Sequence, residues 1–181
     1  MDVFEAIARR YSYRGEFTDA PVPRSDLAKI VQAGIHAASA KNEQVASFVV
    51  VDDPALLGQM ADVLDKPVCR SAKAVIVCVS DPRPVMGDIS FMAEDCAASV
   101  ENMLLAITAL GYATVWLDGV LRYENKAARI GQLLGVPAGR FVRIVLPIGV
   151  AATPGVQREK LPFEQRAWFN RYGCETKSPA S

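Results

Sequence analysis

The sequence predicts a sheet layered with covering helices, built as one domain over residues 1–181. Three observations carry this. The chain is 51% hydrophobic over 181 residues, the length of one ordinary domain with enough apolar material for a core. Short apolar, β-branched runs alternate with stripes at helical spacing along most of it. No internal repeat divides it. The pattern leaves strand order and direction open, and two helices ahead of any strand fit a simple doubly wound scheme badly.

Val3, Phe4, Ile7, Ala8 and Tyr11 recur at helical spacing behind Asp2, a capping residue, and predict a first helix ending near Arg10 to Ser12. Pro21 and Pro23 mark a loop. Ser25 or Asp26 then caps a second helix with Leu27, Ile30, Val31 and Ile35 on one face, running to about His36. Ala37 to Val45 is small and polar. Phe48 to Val51 reads as a strand closed by Asp52, Asp53 and Pro54, after which Asp53 caps a third helix with Pro54 at its first position. Ala74 to Val79 is a continuous apolar run, as in a strand buried on both faces, and Asp81 to Gly87 is a proline-rich turn. From Asp88, the residues Ile89, Met92, Cys96, Val100, Met103, Leu104, Ile107 and Leu110 form the stripe of a central helix that stops at Gly111. Ala113 to Leu117 follows as a strand, Glu124 to Leu134 as a helix stopped at Gly135, and Phe141 to Ile148 as a second buried strand.

Beyond Gly149 no periodic pattern appears, yet Phe163, Trp168, Phe169 and Tyr172 lie there. Such an arm packs across its own domain or a partner's surface, which favours an obligate oligomer whose subunits exchange C-termini. Lys177 to Ser181 reads as frayed.

Charge and composition exclude several functions. Lys plus Arg and Asp plus Glu each number 20, so no basic field exists to hold nucleic acid non-specifically. Apolar runs such as Val75 to Val79 and Ile144 to Ile148 are far shorter than the roughly 20 residues that span a bilayer, so no membrane association is expected. Asp2 and Glu5 around Val3 and Phe4 do not form a secretory signal, and the expected compartment is the cytoplasm. Cys69, Cys78, Cys96 and Cys174 form no CxxC pair and read as reduced thiols used as small hydrophobes. With His36 the single histidine, no metal site is expected, and no Ser-His-Asp or Cys-His arrangement. His36 itself reads as packed or interfacial. Neither a GxGxxG or Walker loop nor a GxSxG elbow is present. Glu94 and Asp95, adjacent on a helix, point apart and read as surface charges.

What remains is recognition of an anion by fixed cations. Arg9, Arg10, Ser12 and Arg14 supply guanidinium forks and a hydroxyl, and Arg158 and Lys160 add cations near the other end of the chain; a phosphate could sit between them. The alternative is that the arginines are surface charges set against a helix dipole. Ser39, Asn42 and Gln44 put hydroxyl and amide groups on the loop before a core strand, where they suit a heterocycle edge or a polyol chain, unless they are simply solvated.

In this order the residues resemble the FMN-dependent nitroreductases. Arg10-Tyr11-Ser12-Tyr13-Arg14, Phe17 and Pro21-Val22 are similar to that family's Arg-x-Ser-x-Arg, Phe and Pro-Val pattern. Ala37-Ala38-Ser39-Ala40-Lys41-Asn42-Glu43-Gln44 resembles its Ala-Pro-Ser-x-x-Asn-x-Gln-Pro-Trp. Asn102 and Gly111 to Trp116 resemble the helix with an internal Asn and the Gly-Leu-Gly-x-x-Trp turn. Ile148-Gly149 and Arg158-Glu159-Lys160-Leu161-Pro162 resemble the closing strand and its Arg-x-Lys-Pro-Leu region.

The resemblance spans almost the whole chain. It implies an α+β fold, a mixed and mainly antiparallel sheet sandwiched by helices, in a homodimer with exchanged arms of about residues 150–181. It implies FMN, held at its phosphate and ribityl end by Arg10, Tyr11, Ser12, Arg14, Arg158 and Lys160. Ser39, Asn42 and Gln44 would reach the partner's flavin, and Trp116, Leu117 and Asp118 would lie along the ring edge and offer backbone groups. Hydride would pass from NADH or NADPH through the flavin to a small-molecule acceptor, a nitroaromatic or quinone, by a ping-pong mechanism with no side-chain nucleophile. Dehalogenases and a flavin-destroying synthase share the scaffold, and a non-catalytic FMN-binding, redox-sensing module or a plain interaction domain are further readings. Three departures stand out: Ala38 replaces a Pro, Val45-Ala46 replaces Pro-Trp, and the inserted helical lid of larger members is missing. Tyr11 and Tyr13 are unusual beside the arginines and read chiefly as packing residues.

Overall fold

Two adjacent strands with apolar runs from Ala74 to Val79 and from Ile144 to Ile148 need a hydrophobic layer on each side, and that requirement sets the architecture. The computed structural model describes residues 1–174, so the expectation for Lys177 to Ser181 lies outside the described residues. The strands β1 (Ala46–Val51), β2 (Ala74–Ser80), β3 (Ala113–Thr114) and β4 (Phe141–Gly149) form one sheet in the order β1-β2-β4-β3. All three pairings are antiparallel. β2 is buried throughout. Its Val75, Val77 and Val79 face one core, while Ala74, Ile76 and Cys78 face the other. β4 divides the same way, with Val145 on one side and Ile144, Leu146 and Ile148 on the other.

One layer consists of α2 (Arg24–Ile35) and the central helix α5 (Met92–Ala109), which contribute Leu27, Ile30, Val100, Met103 and Ile107. The opposite layer consists of α3 (Pro54–Leu64), the single turn α4 (Pro67–Arg70) and α6 (Lys126–Leu133), with Met60, Leu64, Val68 and Ile130 at its centre. The short α1 (Val3–Arg9) packs on α5. No helix among the described residues is long and apolar enough to cross a membrane, and no cluster there could hold a metal ion.

Local chemistry accounts for the helix ends. Asp53 accepts the Leu56 N–H at 2.9 Å, with Pro54 at the first position of α3. α5 ends in a Schellman turn: Gly111 takes φ +83°, its N–H reaches the Thr108 carbonyl, and the Tyr112 N–H reaches that of Ile107.

Other boundaries differ from expectation. α2 begins at Arg24, since Pro23 already holds the φ of −60° suited to a helix entry; Asp26 lies inside the helix and accepts from Lys29 and Tyr112 instead. The first helix ends at Arg9, where Arg10 turns extended. The expected strand at Ala113 to Leu117 reduces to β3 plus a bridge between Leu117 and Val145. α4 is one turn, too short to leave a periodic stripe. α5 starts at Met92, because Met86 and Ile89 close a turn of their own upstream.

The apolar stripe of α1 does not enter the core. Of its residues only Ala6 is buried, and Phe4 is 79% exposed. Beyond β4 the chain runs beside residues 16–18, with Phe17 bridging Ala151 and the Thr18 N–H donating to Val150. The aromatic arm then pairs its rings among themselves, Phe163 with Phe169 and Trp168 with Tyr172, while Tyr172 stays 88% exposed. Within its own protomer the arm is therefore fastened to residues 7–18 only by its first part, and the aromatic residues 163–172 stay largely exposed. Cys69, Cys78 and Cys96 are buried as free thiols, and burial pushes the Cys69 thiol up to about 11.

Gly149 closes β4 against the Phe17 ring, where an added Cβ would sit 2.6 Å from the ring. Gly149→Ala is expected to lower stability by about 1–3 kcal/mol through this overpacking, read as a lower urea midpoint with an unchanged m-value.

Candidate functional site

Two segments far apart in sequence, residues 10–14 and 156–160, meet in one cavity of about 490 Å³ lined by Arg10, Tyr11, Ser12, Arg14, Val156, Gln157, Arg158 and Lys160. Of the residues singled out near the termini, Arg10, Tyr11, Ser12, Arg14, Arg158 and Lys160 are among its walls, whereas Arg9 is not and pairs with Glu5 instead. The meeting has specific causes. Tyr13 is buried between Tyr11 and Phe17; its hydroxyl donates to the Glu16 carbonyl and accepts the Ala152 N–H at 3.1 Å, pinning the start of the arm. Gln157 then donates through Nε2 to the carbonyls of Ile7 at 3.0 Å and Arg10 at 2.9 Å. Between these anchors Gly155 passes so close to the Tyr11 ring that a Cβ would collide with it. Among the described residues Arg14, Arg158 and Lys160 have no carboxylate within ion-pair distance, and Arg10 meets Glu101 at 3.5 Å. Converging cations of which only Arg10 meets a carboxylate raise the local potential and attract an anion.

The loop between α2 and β1 lies elsewhere. Ser39 and Gln44 line a second cavity of about 360 Å³, with Val31, Ile35, Ala46, Phe48, Asp95 and Ser99 among its walls. Asn42 does not line it. The loop is strained: Lys41, Asn42 and Gln44 take φ values of +49°, +58° and +51°, the left-handed region that costs a non-glycine residue about 1 kcal/mol or more. It is held by the Ala40 N–H donating to Asp95 Oδ1 at 3.0 Å, and by Arg83 donating to the Glu43 carbonyl at 2.8 Å and carboxylate at 2.9 Å. Internally, the Gln44 N–H reaches Ser39 Oγ at 3.3 Å.

Trp116, Leu117 and Asp118 line a third cavity of about 520 Å³ together with Lys66, Val120, Tyr123 and Lys126. The Leu117 N–H and carbonyl are both committed to Val145, at 3.1 and 2.9 Å. That corrects the expectation that the whole stretch offers backbone groups: only the N–H groups of Trp116 and Asp118 remain without a backbone carbonyl. A single protomer thus brings the two termini together and keeps the other two groups apart.

Asp95 corrects a second expectation. Glu94 is exposed, but Asp95 is only 4% exposed and lies beneath the loop. Its spacing from Cys96, Ser99 and Met103 places it on the inner side of α5, a sign present in the sequence and masked by the adjacent Glu94. Lys66, Gln157 and Ser99 also line the cavities and were not anticipated; no motif marks them. His36 is exposed at the end of α2, beside Gln32, and is not packed within the protomer.

The family model described as "Nitroreductase family" matches residues 7–75 and 62–150 of this chain. The chain belongs to the nitroreductase family. An Archaeoglobus fulgidus protein, provisionally named NADH dehydrogenase/NAD(P)H nitroreductase, is 34% identical over 134 residues, which span 74% of this chain and 76% of that one. The structure of NADPH:FMN oxidoreductase from Vibrio harveyi, complexed with NAD+, aligns with a TM-score of 0.81 and 25% identity over 96% of this chain and 79% of that one. An FMN-dependent nitroreductase from Clostridium difficile shares the fold at a TM-score of 0.80 and 22% identity, over 93% of this chain and 99% of that one. This nitroreductase therefore has an α+β fold with a helix-covered sheet, as the sequence resemblance implies; the resemblance implies a mixed, mainly antiparallel sheet, whereas all three strand pairings among the described residues are antiparallel.

Gln157→Leu removes both hydrogen bonds that fasten the arm beside Arg10. Its expected effect is about a tenfold faster cleavage near residues 153–160 in limited proteolysis, since the open fraction governs the rate.

Proposed function

We propose that this nitroreductase is an FMN-dependent oxidoreductase, a cytoplasmic homodimer of one domain per subunit, that takes hydride from NADH or NADPH and delivers electrons to a nitroaromatic, quinone or similar acceptor. The observation that carries the reading is the cavity walled by Arg10, Ser12, Arg14, Arg158 and Lys160. Four cations and a hydroxyl around a space of about 490 Å³ fit a phosphomonoester and the start of a polyol chain. FMN, when bound, supplies the two-electron chemistry by accepting hydride and passing electrons on.

The chain's own residues then bind, orient and leave access. Arg10, Arg14, Arg158 and Lys160 neutralise the phosphate, Ser12 donates to it, and Tyr11 walls the same space. Trp116, Leu117 and Asp118 flank the ring, where the free N–H groups of Trp116 and Asp118 can donate to a ring atom that gains electron density. Ser39, Asn42 and Gln44 act across the subunit boundary, on the partner's flavin, with their loop stiffened by Asp95 and Arg83. The separation of the three groups within one protomer supports this two-subunit arrangement. So do the exposed Val3, Phe4 and Ile7 of α1 and the exposed Leu161, Phe163, Phe169 and Tyr172 of the arm, apolar surfaces that a partner would cover. If one face of the bound ring is left open, donor and acceptor would use a single pocket in turn.

The first test is the absorbance spectrum of the purified protein, with any chromophore released by heat and identified: the expected result is oxidised flavin and FMN in the supernatant. A protein that is colourless and takes up no added FMN sinks the reading. Steady-state oxidation of NAD(P)H with menadione or a nitrofuran separates the enzyme from a flavin-binding sensor. Arg10→Ala and Ser12→Ala are each expected to weaken FMN retention by about tenfold or more, the worth of a charge-assisted hydrogen bond, in equilibrium dialysis. Truncation before Gln157, which removes the arm and two of the cations, should give a monomeric or unstable, flavin-free chain by light scattering.

A further inference from the structure

The cation-rich cavity has one carboxylate beside it to which the functional reading gives no role. Glu101 Oε1 lies 3.5 Å from Arg10 Nε, and among the described residues it is the one carboxylate within ion-pair distance of Arg10, Arg14, Arg158 or Lys160. Glu101 does not line the cavity. It reaches Arg10 from α5, and its nearest approach is to Nε, at the base of the guanidinium rather than to the two Nη atoms at the tip. The Arg10 side chain is only 20% exposed, that of Glu101 52%. The carboxylate has a firm support. α5 is the central helix and packs on α1, and the adjacent Asn102 donates from Nδ2 to the Ala33 carbonyl of α2 at 3.1 Å.

Four cations gathered around one space push one another apart until an anion arrives. A long cationic side chain in an empty site relieves that repulsion by turning away, and a site that must first bring it back binds more weakly. Glu101 opposes this drift at contact distance. Its own repulsion of a bound phosphate acts from farther off, with Arg10 on the cavity wall between them, and from a half-exposed position where water and salt damp it. The hold on Arg10 is therefore the larger effect. We propose that Glu101 is a positioning residue, which keeps the Arg10 guanidinium in the cavity wall with its Nη atoms ready to donate to a phosphomonoester. It touches no part of the ligand and acts through Arg10 alone. The proposal rests on the functional reading above, in which that phosphate belongs to FMN.

FMN and riboflavin, which differ only in the phosphate, test this by equilibrium dialysis on the full chain freed of flavin. Glu101→Ala is expected to weaken FMN binding by about fivefold, the scale of one part-exposed ion pair, and to leave riboflavin binding unchanged. Glu101→Gln keeps an oxygen that accepts from the guanidinium and should recover most of that loss. In an Arg10→Ala background, Glu101→Ala should cost nothing further, because the side chain it acts through is gone. FMN binding that is unchanged or tighter in Glu101→Ala overturns the positioning role. So does an equal loss for riboflavin, or a loss that persists in the Arg10→Ala background. A wild type that takes up FMN no better than riboflavin overturns the functional reading instead; inorganic phosphate, titrated into the same variants and followed by phosphorus NMR, then decides the role of Glu101 by the same differences. A wild type that binds no phosphate in any form overturns both.

Discussion

Burial of β2 and β4 on both faces is the constraint from which the rest of the molecule follows. Two adjacent strands carrying Val75 to Val79 and Ile144 to Ile148 expose apolar side chains above and below the sheet, and neither face can be left to water. Helices must therefore cover both sides, which places α2 and α5 on one and α3, α4 and α6 on the other. β1 and β3 complete the sheet on either flank of this pair. The end of β4 at Gly149 then delivers the C-terminal arm beside residues 16–18, and through them beside the arginines that follow α1.

The cation-rich cavity is built without regular secondary structure. Residues 10–14 and 156–160 lie outside helices and strands, and their proximity depends on Tyr13, Gln157 and the missing side chain of Gly155. Like charges brought together in this way repel one another, so the anchors are needed; the repulsion reverses sign when an anion arrives. Holding the cations from both chain ends also couples the cavity to the arm, so whatever orders the arm orders the site.

The loop of residues 39–44 repeats this logic on a smaller scale. Three non-glycine residues in the left-handed region persist only where neighbours over-determine the backbone, here Asp95 from α5 and Arg83 from the turn after β2. Strain held in place by a buried carboxylate and an exposed ion pair keeps hydroxyl and amide groups at fixed positions at the edge of a cavity. Asp95 serves the backbone with one oxygen, and its other oxygen stays buried without a partner.

The sequence by itself determined the element order, the strands buried on both faces and the residues of the cation cluster, because each is written in local spacing: period-two and period-3.6 burial, Asp53 before Pro54, Gly111 after Leu110. It also carried the family, in four short patterns in the right order. It did not determine strand direction, since a run apolar at every position reports two buried faces and is blind to which neighbour lies beside it. Nor did it show that Asp95 is inside, that Leu117 spends its backbone on Val145, or that α1 turns its apolar stripe outward. Those depend on which residues distant in sequence become neighbours, and only the tertiary structure decides that. The same reason separates the three groups of candidate site residues: the arginines are joined by contacts across about 150 positions, as Gln157 to Ile7 shows, whereas among the described residues they share no cavity with Ser39 or Trp116.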